Sequence, residues 1–312
     1  MKVVLFAWCP TATSYLDALI ADGAAPVLLV TGPRSPGDGT IATRAAKHGV
    51  ALERSEDVNA DPFVDRIRSL APDLLLIAGC SQILRAPLRG AARLGVVNFH
   101  PSLLPRYRGK EPLFWALLDG ETRTGCTAHH ATDSVDAGPI LLTREVAISS
   151  RATSASLARD VDEAGATLVA QVLAMARAGA LPSGQLPAEP GKMFPPLRKE
   201  HGLLDLSRSA IELDRLVRAC VGEIPAFLFF AGMKVVALEA EPTEAAVRGA
   251  APGTVVESGG GVLRIATAAG DLLVRRWLFL GRVHDSNELA TRLDIRVGMR
   301  FTCNPAFPSV GA

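Results

Sequence analysis

Asn98 and His100 stand two residues apart at the end of a short apolar run, and Asp136 follows 36 positions after His100 in a Ser-Val-Asp-Ala-Gly turn. Residues two apart on an extended chain project to one side, so the amide and the imidazole share a face. Pro101 and Pro105 stiffen the loop that follows. An amide donor, an imidazole and a carboxylate suit acyl transfer without a covalent intermediate. An amine that attacks an acyl carbon leaves negative charge on oxygen, to which an Asn amide and a protonated His can both donate. A nearby carboxylate raises the imidazole pKa and helps remove the proton shed by the amine.

By residue type alone other readings stay open. A His can cap a strand end and an Asp can stabilise its own turn. A metal site could be imagined from His100, Cys126, His129, His130, Asp133 and Asp136, but the spacing matches no HExxH-type signature. Adjacent His129 and His130 would face opposite ways on a strand. A catalytically dead binding module is a further alternative.

The elements that must position these residues come next. Apolar runs Lys2–Ala7, Pro26–Thr31, Leu74–Ala78 and Val96–Asn98 are expected as strands, with Val96–Asn98 running out at Asn98. Helical spacing marks Ser14–Asp22, Ile41–His48, Pro62–Leu70, Pro112–Leu118 and Ser156–Ala178, while Pro33–Gly39 is a loop by composition. Alternating strands and helices predict an α/β fold with a doubly wound, mostly parallel, Rossmann-like sheet, whose ligands sit outside the carboxyl ends of the strands. The first strand–helix turn carries no glycine, so an NAD- or FAD-binding GxGxxG is excluded, and the lone Gly37-Asp38-Gly39 reads as a turn. Residues 1–183 are expected as the catalytic domain and 184–203 as a Pro/Gly-rich linker. Residues 204–312 are expected to be a small C-terminal open, OB-like β-barrel. In it a helix Ala210–Ala219 precedes short strands Ala226–Phe230, Lys234–Glu239, Gly253–Ser258, Gly261–Thr267 and Leu272–Leu280. An exposed barrel edge could pair two copies into a homodimer.

Lys and Arg number 33 against 32 Asp and Glu, and residues 201–312 carry 12 of each sign, so charge does not mark a nucleic-acid-binding domain. Five widely spaced cysteines without a CxxC read as reduced thiols, and no run reaches the ~18 apolar residues of a membrane span. Met1–Pro10 reads as a buried strand rather than a leader, and the expected location is cytoplasmic. Trp8 and Trp115 read as packing residues, Cys80 and Cys126 as buried thiols, and Phe227, Phe229 and Phe230 as barrel core. Arg106 and Arg108 are open to a solvated or a ligand-binding role.

The stretch Asn98–Pro105 (NFHPSLLP), its interval to Asp136 and the Asp136-Ala137-Gly138 turn resemble the folate-dependent formyltransferases. That family includes methionyl-tRNA formyltransferase, the sugar-nucleotide N-formyltransferases, glycinamide ribonucleotide transformylase and the hydrolase domain of formyltetrahydrofolate dehydrogenase. The resemblance implies 10-formyltetrahydrofolate as donor, no metal, and Asn98, His100 and Asp136 as the catalytic trio. It implies folate contacts from Ser102, Leu103, Leu104 and Pro105, from Gln82, Ile83 and Leu84 at a strand end, from Lys110, and from Thr132, Asp133, Ser134 and Val135. Gly120–Gly125 and Thr127–His129 are most similar to the enzyme acting on UDP-aminoarabinose, and the region from Leu204 resembles the barrel of the tRNA and sugar enzymes. The glycinamide ribonucleotide enzyme lacks that barrel, which argues against its substrate. A small-molecule amine is therefore the expected acceptor, either an amino-sugar nucleotide or a hydroxyornithine-like siderophore precursor. Methionyl-tRNA is the alternative, disfavoured because Pro33–Thr40 holds one Arg and one Asp where the tRNA enzymes carry a basic loop. Hydrolysis of the formyl-folate is a third reading.

Overall fold

The computed structural model describes residues 1–9, 12–33, 38–244, 247 and 249–304. Of the expected Pro33–Gly39 loop, residues 34–37 lie outside the described residues, and Asp38 already belongs to a helix. The chain forms two compact units. One comprises Met1–Pro112, Thr122–Ile148 and Leu157–Pro195; the other comprises Leu113–Glu121, Ser149–Ser156 and Pro196–Ala312.

The first unit is built on a seven-stranded sheet. In chain order its strands are β1 (Val3–Ala7), β2 (Leu28–Thr31), β3 (Leu52–Arg54), β4 (Leu74–Ala78), β5 (Val96–His100), β7 (Arg123–His130) and β8 (Ile140–Ala147). A two-residue strand, β6 (Arg108–Gly109), stands outside that sheet. The spatial order is β3-β2-β1-β4-β5-β7-β8, parallel from β3 to β5 and antiparallel across β5, β7 and β8. Every residue of β1, β2 and β4 is buried, as expected of parallel strands covered on both faces. Helices α1 (Thr13–Ala21), α2 (Asp38–Lys47), α3 (Asp61–Ser69) and α4 (Ala86–Arg89) connect the parallel strands. Pro in the first turn and Arg66 and Arg68 in the last suit α3 to its position and dipole.

One expectation changes here. Val96–Asn98 does not stop at Asn98: β5 runs on to His100 because β7 pairs with it, placing Asn98 opposite His129 and His100 opposite Thr127. The Pro/Gly-rich stretch 184–203 makes ordered contacts. Gln185 bridges Ile140, and β9 (Met193–Phe194) pairs in parallel with β6.

The second unit includes α5 (Pro112–Asp119), almost entire, and the start of α6 (Ser154–Arg177), then α7 (Ala210–Cys220) and an antiparallel sheet. A complete capping box between Ser209 and Glu212 starts α7. The sheet strands are β10 (Ala226–Phe230), β11 (Met233–Thr243), β12 (Val255–Gly259), β13 (Val262–Ala266), β14 (Asp271–Phe279), β15 (Arg282–Asp285) and β16 (Phe301–Thr302). Their order is β12-β13-β14-β11-β10-β16, with β15 on β14. A Thr254–Arg300 bridge brings the two ends of this path together, which curls the sheet into an open barrel. Trp277 and Phe301 stack inside it, their ring centroids 5.6 Å apart. Phe230 joins that core, but Phe227 and Phe229 do not. Strand alternation turns Ala226, Leu228 and Phe230 inward and leaves Phe227 and Phe229 half-buried on the other face. A further helix, α8 (Ser286–Leu293), is started by an Asp285–Glu288 capping box.

Candidate functional site

Strand β5 delivers Asn98 and His100, and the turn after β7 delivers Asp136, all within the first unit. Asn98 Nδ2 donates to Asp136 Oδ1 at 3.3 Å, and His100 Nδ1 lies 3.5 Å from Asp136 Oδ2. The structure therefore brings the three expected residues together. Asp136 has φ of 49°, the left-handed region, and the Gly109 N–H donates to its Oδ2 at 2.9 Å.

His129 is a fourth member that residue spacing did not single out. It faces Asn98 across the β5–β7 register, and Asn98 Nδ2 lies 3.1 Å from its Nε2. His129 Nδ1 is 2.9 Å from the His130 carbonyl, which can only accept, so Nδ1 donates there and Nε2 faces the Asn98 amide. His130 points the other way, to the Pro182 carbonyl. Only a correct β5–β7 pairing would have revealed His129 from the sequence.

Charge at the site follows from burial and these contacts. Burial alone would raise the Asp136 carboxyl, but its interaction with the adjacent His100 and the Gly109 N–H hold it at about 2. His100 is only 5 % exposed, and burial lowers its pKa despite the opposing pull of Asp136 and of the Tyr107 carbonyl, 2.9 Å from Nε2. The expectation that the carboxylate would hold this imidazole charged is therefore reversed. Desolvation of the cation outweighs the attraction.

The expected folate-contacting residues fall into three segments. Gln82, Ile83 and Leu84 lie in the loop between β4 and α4, beyond the strand end itself. The Gln82 side chain bonds the Val58 N–H and the Glu56 carbonyl, Ile83 is 51 % exposed, and Leu84 is buried in the core. Ser102, Leu103, Leu104 and Pro105 follow β5. Buried Ser102 donates to the Arg106 carbonyl, and Thr127 Oγ1 donates to Ser102 O and accepts from Leu104 N. The third segment is Thr132, Asp133, Ser134 and Val135. Here Thr132 Oγ1 donates to Ser134 O, and Asp133 pairs with Arg89 at 2.8 Å. Arg89 also donates to Leu84 O, so one arginine ties the first segment to the third. Lys110 Nζ donates to Ser81 O. Arg106 is exposed with its guanidinium over the Tyr107 ring, whereas Arg108 is buried. Trp8 packs at the edge of the core, Cys126 is buried, and Cys80 is half-buried against that core.

A half-buried amide donor and a buried imidazole, each in contact with an ionised carboxylate, fit the reacting end of an acyl donor. Among the described residues, no group of three or more His, Cys, Asp or Glu could hold a metal ion. No helix among them is long and apolar enough to cross a membrane.

Comparison with known proteins identifies the family of the chain. Residues 24–173 match the formyl transferase family, and residues 196–283 match the formyl transferase C-terminal domain. The methionyl-tRNA formyltransferase of Pelobacter propionicus is 36 % identical over 281 residues, covering 88 % of this chain and 86 % of that protein. Among solved structures, HypX from Aquifex aeolicus in complex with tetrahydrofolic acid superposes with a TM-score of 0.67 at 18 % identity. That match covers 95 % of this chain but 48 % of HypX, so this chain spans about half its length. An N-formyltransferase from Helicobacter canadensis, in complex with folinic acid and dTDP-3-aminofucose, gives a TM-score of 0.66 at 12 % identity, covering 88 % of this chain and 99 % of that one. The two structural likenesses show a shared fold. With the two family matches and the 36 % identical relative, they establish that the chain belongs to the 10-formyltetrahydrofolate-dependent N-formyltransferases.

Proposed function

We propose that this formyltransferase passes the formyl group of 10-formyltetrahydrofolate to the amine of a small molecule, an amino-sugar nucleotide or a hydroxyornithine-like precursor. The acceptor nitrogen bonds to the formyl carbon, the bond from that carbon to the folate nitrogen breaks, and the proton shed by the amine ends on the departing folate. Asn98 donates to the formyl oxygen as it becomes negative. Its 3.3 Å bond to Asp136 is the longer of its two, and the one a substrate oxygen displaces. Asp136, ionised throughout the neutral range, accepts the amine proton directly or through His100 Nδ1, 3.5 Å away. His100 donates to the same oxygen when its Nε2 exchanges the Tyr107 carbonyl for substrate. Ser102–Pro105, Gln82–Leu84, Lys110 and Thr132–Val135 are assigned to the folate.

The observation that supports the small acceptor is that five arginines of the second unit are neutralised within it. Arg208, Arg218, Arg264, Arg275 and Arg296 each lie within ion-pair distance of a carboxylate of the same unit. Phosphate-driven tRNA binding draws on uncompensated cations. Methionyl-tRNA is the second reading, favoured by the 36 % identical relative. The test is tetrahydrofolate release from 10-formyltetrahydrofolate in the presence of nucleotide amino-sugars, hydroxylated ornithine or methionyl-tRNA. Turnover that needs a small amine is expected. Formylation of methionyl-tRNA alone, with binding that weakens steeply with salt, selects the second reading. Rapid release with no amine present overturns both.

A further inference from the structure

The geometry points to Arg108 as a positioning residue for the Asp136 carboxylate, an assignment that rests on the proposed role of Asp136. Arg108 is 8 % exposed, so its guanidinium is a buried cation whose desolvation must be offset by hydrogen bonds. Those bonds go to backbone carbonyls. Nε and Nη2 both donate to Val135 O, at 3.1 and 2.6 Å, and Nη1 donates to Pro190 O.

Val135 O belongs to the peptide that joins Val135 to Asp136. Holding that peptide plane holds the rotation about the Asp136 N–Cα bond, whose φ of 49° a residue with a side chain leaves unless it is restrained. The chain neighbours of Arg108 complete the grip. The Gly109 N–H donates to Asp136 Oδ2, and the Tyr107 carbonyl faces His100 Nε2. Three consecutive residues therefore set the peptide plane, the carboxylate and the imidazole. The far side of the guanidinium is braced by Pro190, on the segment whose Met193 and Phe194 pair with Arg108 and Gly109. Gly191 packs so closely there that a Cβ would collide with Pro105 O. Lysine at 108 would keep the charge but not the fork, since a single nitrogen cannot grip Val135 O twice and reach Pro190 as well.

The experiment measures kcat and KM for formyl transfer by the full chain carrying Arg108→Lys, Asp136→Asn or both, with thermal melts to confirm folding. Arg108→Lys is expected to lower kcat about 10-fold or more while KM for the folate changes little. Combined with Asp136→Asn it should be no worse than Asp136→Asn alone, because residues acting through one group are not additive. If Arg108→Lys does not fold, Arg108→Gln, which keeps one N–H for Val135 O, carries the same expectation. Full kcat in the Arg108 variant overturns the proposal, as does a loss that multiplies with that of Asp136→Asn. Full kcat in Asp136→Asn instead removes the catalytic role of Asp136, and this assignment with it.

Discussion

Asn98 Nδ2 sits between two acceptors, 3.1 Å from His129 Nε2 and 3.3 Å from Asp136 Oδ1. The carboxamide is thereby oriented. Its nitrogen faces the carboxylate, because an oxygen there would meet like charge, and its two hydrogens are both directed. Pre-orientation of this kind gives an oxyanion donor its value, since no reorganisation is needed during the reaction.

Replacing Asn98 by Ala removes that donor. The expected loss in kcat is about 10²–10³-fold, or roughly 2.7–4 kcal/mol of barrier. Asn98→Asp should do no better, since a second carboxylate would face Asp136. Single-turnover tetrahydrofolate release checks this, and an Asn98→Ala protein within a few-fold of the unmodified one would falsify the assignment.

Acid should weaken the fold in a window set by His100. Burial depresses its pKa below the ordinary value of 6.5, so below pH 6.5 the unfolded chain binds a proton that the folded chain does not. Stability from this group is complete above 6.5 and declines as pH falls toward the folded value. Asp136, held at about 2, contributes stability that is lost only below the ordinary carboxylate range. The thermal midpoint should therefore drop between pH 7 and 5, and His100→Gln should make that slope shallower. An identical slope in the variant would show that other groups govern it.

Gly138 closes the Asp136 turn where a Cβ would collide with His130 O. Gly138→Ala must push the turn off β7, at a cost of about 1–3 kcal/mol in stability, and should lower kcat by moving Asp136. Denaturant unfolding together with steady-state kinetics would test both. Unchanged stability would mean that the turn yields without strain.

Much of this was readable along the chain. Fully buried strands such as Val3–Ala7 and Leu74–Ala78 are unbroken apolar runs, and the two-residue spacing of Asn98 and His100 predicted their shared face. Helix α8 is legible too, in the Asp285–Glu288 capping box. Apolar type alone does not sort the barrel aromatics: strand alternation separates Phe230 in the core from Phe227 and Phe229 on the other face.

By itself the sequence determined the α/β class, the family and the trio of residue types, because these are carried by local period and by a long contiguous motif. Only the tertiary structure decided that His129 lies against Asn98, that Arg108 grips the peptide before Asp136, and that burial outweighs the carboxylate at His100. Cross-strand register and desolvation depend on which distant segments pack together, and no local pattern encodes that.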